Sequence, residues 1–162
     1  MTNKTKKADY FSAFVDWLNN WNKERGTYIN DLSKLKVLKL LFLWVSGNKD
    51  YLDVFDNFVA WDLWPVEKDI YDLINKDKIK GYSINSSNLS KKCENMVFDT
   101  DALEFANKTI NFLKNKNVGL IKLSAGALVD ITHKWQCWTL ARNLGFEKIP
   151  TRLILSENWI YF

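Results

Sequence analysis

His133 and Cys137 stand four residues apart, a spacing at which two side chains share one face of a helix. A thiol beside an imidazole is the pair that thiolate catalysis uses. They are the single histidine and one of two cysteines in the chain. Trp135 and Trp138 flank them, however, and a nucleophile and its base on one helical turn is an unusual catalytic layout. The plainer expectation is that His133 bonds locally and Cys137 packs as a small apolar side chain. Cys93 and Cys137 join no Cys-x-x-Cys pair, and one His with two Cys cannot fill the usual structural zinc site. The pairs Asp69/Asp72 and Asp99/Asp101 offer carboxylates for acid–base work or Mg²⁺. They fall at helix starts and exposed faces, where solvation explains them. The chain has no Walker-type or GxGxxG phosphate loop. A protein that is not an enzyme, with no cofactor and no metal, is expected.

Lysine is the other chemical resource. Lys34, Lys36 and Lys39, with Lys4, Lys6 and Lys7, have the charge to meet phosphates. Acids are interleaved nearly everywhere, and 23 basic against 19 acidic residues leave a formal charge of only +4. A nucleic-acid module more often concentrates Arg and Lys in one stripe; here Arg is rare. Abundant Lys and Asn fit an AT-rich coding sequence. The lysines of the second helix are expected to form a wetted face opposite a leucine stripe. A nucleic-acid-binding module stays a remote alternative.

Tryptophan exceeds these plain readings. Trp61, Trp64, Trp135 and Trp138 cluster at two places where the helical pattern is interrupted. Tryptophan, with tyrosine and arginine, dominates protein–protein hot spots. The residues expected to meet a partner are Trp61, Trp64, Pro65, His133, Trp135 and Trp138. The competing reading puts the same rings in the core.

These residues need elements to position them. A chain of 162 residues suggests one domain, 1–162, able to bury its own core. With 24 aromatics, 6 Gly and 2 Pro it is neither disordered nor a turn-dense β fold. Residues 1–7 read as a flexible basic tail. Tyr10, Phe14, Trp17 and Trp21, with Phe11 and Leu18, recur at helical spacing. A second helix, capped by Asp31 or Ser33, carries Leu32, Leu35, Leu38, Leu41, Phe42 and Val45, and is apolar all round from Leu40. Residues 58–64 are dense in β-formers, and Pro65 suits the first turn of a helix burying Val66, Ile70, Leu73 and Ile74. A polar loop follows over 75–98, with one short extended segment at 81–84. Asp99 or Thr100 caps a helix presenting Leu103, Ala106, Ile110 and Leu113. Short helices follow from Ser124, around Trp135–Leu144, and in the tail. The expected fold is all-α, in one multi-helix domain. No apolar run approaches the 20 residues a membrane span needs, so a cytoplasmic location and no membrane partner are expected.

Three blocks carry a resemblance. Residues 35–44, LKVLKLLFLW, are similar to "LKLQKLLYYAQ". Residues 58–66, FVAWDLWPV, followed by Tyr71, are similar to "FEAWKYGPV…VY". Residues 128–141, LVDITHKWQCWTLA, are similar to "LSELTHQEGPWKEA". In this order the chain resembles the Panacea domain, also called the SocA-like antitoxin domain, of bacteria and prophages. The ending Trp159–Phe162 is similar to that family's ending near "YF". Trp64 stands where the family has Gly, and Trp135 and Cys137 replace its acid and proline. The resemblance implies a non-enzymatic, metal-independent, antitoxin-like protein that neutralises a toxin by direct contact or as a proteolytic adaptor. A phage or prophage protein acting on a host complex is the alternative on the same fold.

Overall fold

In a computed structural model, residues 3–26, 29–62 and 64–155 are described, Trp64 by its backbone alone. The ending Trp159–Phe162 lies outside them. The first helix, α1 (Asn3–Lys23), buries Phe11, Phe14, Val15, Leu18 and Trp21, as its spacing predicts. It also corrects the reading of a basic tail. The helix begins at Asn3, and Lys7 is itself buried, held by acids from distant sequence.

Helix α2 (Lys34–Val45) starts where Ser33 Oγ accepts from the Lys36 N–H at 3.2 Å. Every residue from Lys36 to Val45 is buried, so α2 is the centre of the domain. Lys36 and Lys39 are therefore not on a wetted face. Each threads its amine between apolar neighbours to a main-chain carbonyl, Lys36 to Ile121 at 2.7 Å and Lys39 to Pro65 at 3.1 Å. Around α2 the aromatic core closes ring on ring. Trp44 stacks on Phe14 at 4.8 Å, and Phe42 meets Phe58 and Trp135 edge-on at 5.5 and 5.4 Å.

A short helix, α3 (Lys49–Val54), leads into an antiparallel ribbon of β1 (Phe58–Trp61) and β2 (Trp64–Glu67), in register from Phe58 opposite Glu67 to Trp61 opposite Trp64. Pro65 thus lies in β2 and not in a helical first turn. A two-stranded ribbon tolerates proline because its missing N–H need not face the ladder. Helix α4 (Lys68–Asn75) starts later, at the point where the Glu67 carboxylate accepts from the Ile70 N–H at 2.9 Å.

The polar segment 75–98 contains a second ribbon, β3 (Tyr82–Ile84) with β4 (Leu89–Lys91), seated by buried Ile79, Tyr82, Ile84 and Leu89. Gly81 turns into it at φ +79°. Helix α5 (Thr100–Lys116), capped by Asp99, packs along α1 through Ala102, Phe105, Ala106, Ile110 and Leu113. Leu103 is exposed, because the buried stripe runs through Ala102 and Phe105 instead. After a 3₁₀ turn (Leu120–Lys122) come α6 (Ala125–Thr132, capped by Ser124), α7 (Gln136–Asn143) and α8 (Thr151–Leu155). The structure is 59% helical, with only two small ribbons among the described residues, so the chain folds as a mainly α domain.

Candidate functional site

The two tryptophan-bearing segments meet. The Trp138 Nε1–H donates to the Trp61 carbonyl at 2.9 Å. One turn further along α7, Arg142 donates to the Ala60 carbonyl at 3.4 Å and pairs with Asp62. The chain after α7 then returns along the free edge of β1. The Ala60 N–H donates to the Glu147 carbonyl at 2.7 Å, and the Ile149 N–H to the Phe58 carbonyl at 2.8 Å. The β1–β2 ribbon is thereby held to a corner formed by α6, α7 and residues 147–149.

His133 closes α6 as its C-cap, and its ring stacks on Trp138 with centroids 4.5 Å apart and planes 11° apart. Cys137 is buried in the first turn of α7. The two therefore belong to different helices and do not share a helical face. Trp61 lies edge-on to Tyr71 at 4.9 Å.

Of the six residues expected at a partner surface, Trp61, His133 and Trp138 are half-buried. Trp135 is 0% exposed and wedges against Phe42. Pro65 is buried as well and offers its carbonyl to Lys39. These two hold the corner from inside. The side chain of Trp64 lies outside the described atoms. The spacing of residues did not single out Leu140, Leu144 and Phe146. They are 44%, 58% and 53% exposed, three of the seven large apolar side chains exposed among the described residues. Gly145 turns the chain between them at φ +73°, a left-handed conformation suited to glycine.

A second polar centre lies at the other end of the same ribbon. Lys7 Nζ bonds Glu67 at 2.8 Å, Asp69 at 2.8 Å and Asp56 at 2.9 Å. Glu67 also accepts from the Asn57 N–H at 3.2 Å, and Asp69 from the Asn57 side chain at 3.1 Å. The three carboxylates bring oxygens within 4.8 Å of one another, a grouping that suits a cation. Here the Lys7 ammonium bonds to all three.

Burial pushes the Glu67 carboxyl up to about 7, against the pull of Lys7. Burial alone would lower the Lys7 amine, but Glu67, Asp69 and Asp56 outweigh it and raise it. Asp69 is held below its ordinary value by the Lys7 and Asn57 hydrogen bonds, which overcome its partial burial. Lys7 therefore keeps its charge, and Glu67 is the member whose proton is in play. Nothing in the spacing of Lys7, Asp56 and Glu67 announces this cluster, because its members lie 49 and 60 residues apart.

The two buried lysines of α2 behave differently. Burial pushes the Lys39 amine well below its ordinary value. It also lowers Lys36, which Asp31 partly restores through an ion pair of 2.9 Å. Neither amine reaches the surface, so neither is placed to meet a phosphate backbone. No helix among the described residues is long and apolar enough to cross a membrane. Comparison of the chain with protein-family models, curated proteins and solved structures finds no match.

Proposed function

We propose that this chain is a non-enzymatic, antitoxin-like protein that neutralises a cognate protein toxin by direct contact at the ribbon–α7 corner. The observation that carries the reading is the exposure of Leu140, Leu144 and Phe146 on and just after α7, the helix whose Trp138 bonds the ribbon. Large apolar side chains grouped in the open mark a protein-binding surface more often than a scatter of single ones does. Rigid aromatic rings add contact area at low entropy cost. The three motif blocks supply the antitoxin class, and two of them, 58–66 and 128–141, form this corner.

The test is co-expression and co-purification with the product of the adjacent gene. A stoichiometric complex, and rescue of growth from that product, are expected. Leu144→Glu and Phe146→Glu should each weaken the complex by about 2 kcal/mol, roughly 30-fold, while leaving the fold intact. A folded protein that neither binds nor rescues sinks the reading.

A further inference from the structure

The stretch between β4 and α5, residues 92–99, forms no regular element. It is pinned at both ends. At one, the Lys92 N–H donates to the Gly81 carbonyl at 2.7 Å, and the Lys92 amine pairs with the Asp77 carboxylate at 2.9 Å. At the other, Phe98 packs against the patch formed by Ala13 of α1 with Ala102 and Ala106 of α5. Lys80 Nζ lies over the Phe98 ring and bonds the Val97 carbonyl. Between the pins Cys93, Glu94, Asn95 and Val97 are exposed, while Met96 is half-buried and packs on the main core.

Met96 seats on Gly81, the residue that turns the chain into β3. A Cβ built on Gly81 would lie 1.7 Å from Met96 Sδ and 2.8 Å from its Cγ. The thioether therefore fills the space that any other residue type would need for its own side chain. The same turn is tied to α1, since the Lys80 N–H donates to Ser12 Oγ at 3.2 Å and the buried Tyr82 donates its hydroxyl to Asp16 at 2.6 Å. Met96 is thus the one side chain between the two pins that holds the strap down by apolar contact. A thioether is apolar, whereas a sulfoxide is polar and must be hydrated. Hydrating an oxygen on this sulfur requires the side chain to leave Gly81.

We propose that Met96 is an oxidation-sensitive clasp, whose conversion to the sulfoxide by a peroxide lifts residues 92–98 off the Gly81 turn. The sulfur lone pair attacks one peroxide oxygen, the S–O bond forms and the O–O bond breaks. The proton of the transferred oxygen passes to the leaving hydroxide, which departs as water. Sulfur loses two electrons and the peroxide gains them. Reduction of the sulfoxide reseats the strap. This device goes beyond the ribbon–α7 corner and stands independently of it.

The experiment treats the full chain carrying Cys93→Ser, which removes the exposed thiol, with hydrogen peroxide. Mass spectrometry follows one added oxygen on the peptide holding Met96 and on that holding Met1, the chain's other methionine. Brief trypsin treatment then reads cutting after Lys91 and Lys92, whose rate follows the population of the opened segment. Cutting is expected to rise about tenfold or more in step with oxygen on Met96, and to return to its starting rate after methionine sulfoxide reductase treatment. Met96→Leu, which keeps an apolar contact, should show no response to peroxide. Met96→Gln, a polar stand-in for the sulfoxide, should be cut fast without any oxidant. Met96 resisting peroxide at doses that oxidise Met1 would overturn the proposal. So would oxidation of Met96 with cutting unchanged, or an equal rise in Met96→Leu. Should Met96→Leu fail to fold, the match between oxygen on Met96 and cutting in the parent chain decides.

Discussion

The two ends of the β1–β2 ribbon are tied down by opposite means. At its base, Glu67 and Asn57 are locked to α1 through the buried Lys7 ammonium and three carboxylates. Towards its tip, Ala60 and Trp61 are held by main-chain carbonyl bonds from Trp138 and Arg142 and by the edge contact with Glu147, with the Arg142–Asp62 ion pair at the surface. The Lys7–Glu67 pair in the interior of the base must stay complete, because removing one strands the other away from water, whereas Asp56 and Asp69 keep partial access to solvent. The tip holds through several modest bonds, each replaceable by water. The base therefore suits a structural anchor, and the tip suits a surface a partner can reach.

The largest expected effect breaks the base. Lys7→Ala leaves buried Glu67 without its counter-charge and should cost about 3–5 kcal/mol. Thermal unfolding followed by circular dichroism should show Tm falling by about 10 °C, at roughly 2–4 °C per kcal/mol for a chain of this size. A loss no larger than that of a surface lysine would erase the contrast between the two ends.

Acidity sharpens the same contrast. The folded Glu67 carboxyl sits at about 7 against an ordinary 4.5. Between those values the folded chain holds a proton that the unfolded chain has released, so this group makes stability fall as pH rises. Lys7, being raised, stays charged across that window. Asp69, being lowered, is ionised above 3.8 in both states, so neither adds slope. Glu67→Gln mimics the protonated acid and should flatten the trend. Urea midpoints compared at about pH 5 and about pH 7 measure it. An unchanged slope would show that Glu67 is ionised throughout.

At the tip the effects are smaller. Trp138→Phe removes the N–H donated to Trp61 and should cost about 1 kcal/mol, seen as a modest drop in urea midpoint. Leu144→Glu changes an exposed side chain and should move stability by no more than about 0.5 kcal/mol, while weakening capture of the partner in a pull-down. A Leu144→Glu protein that unfolds would instead make the α7 face part of the core.

Much of the helical frame was legible because periodicity and caps are local signals. The Phe11–Trp21 stripe, the helix start at Ser124 and the caps at Ser33 and Asp99, each one of two neighbouring candidates, follow from residues within a few positions. The misplaced start of α4 has a local cause as well. Pro65 suits both a helix start and an edge strand, and pairing with β1 decided for the strand. The tryptophan motifs marked two segments that meet at one corner but not the roles within it, since Trp135 faces Phe42 and Trp138 faces Trp61. Leu140, Leu144 and Phe146 escaped notice because a helical apolar pattern does not say which face a neighbour will cover.

From local residue order alone came the mainly α class, the helix stripes and most caps, and the grouping of tryptophan at two interruptions. Those properties depend on residues within one or two turns of each other. Only the tertiary structure decided that Lys7, Lys36 and Lys39 are interior, that Asp56, Glu67 and Asp69 converge, and that the two tryptophan segments touch. A lysine carries the same charge and the same long apolar stem whether it is wet or buried. Which state it takes depends on whether carbonyls or carboxylates from distant segments arrive to receive its ammonium, and chain neighbours do not record that.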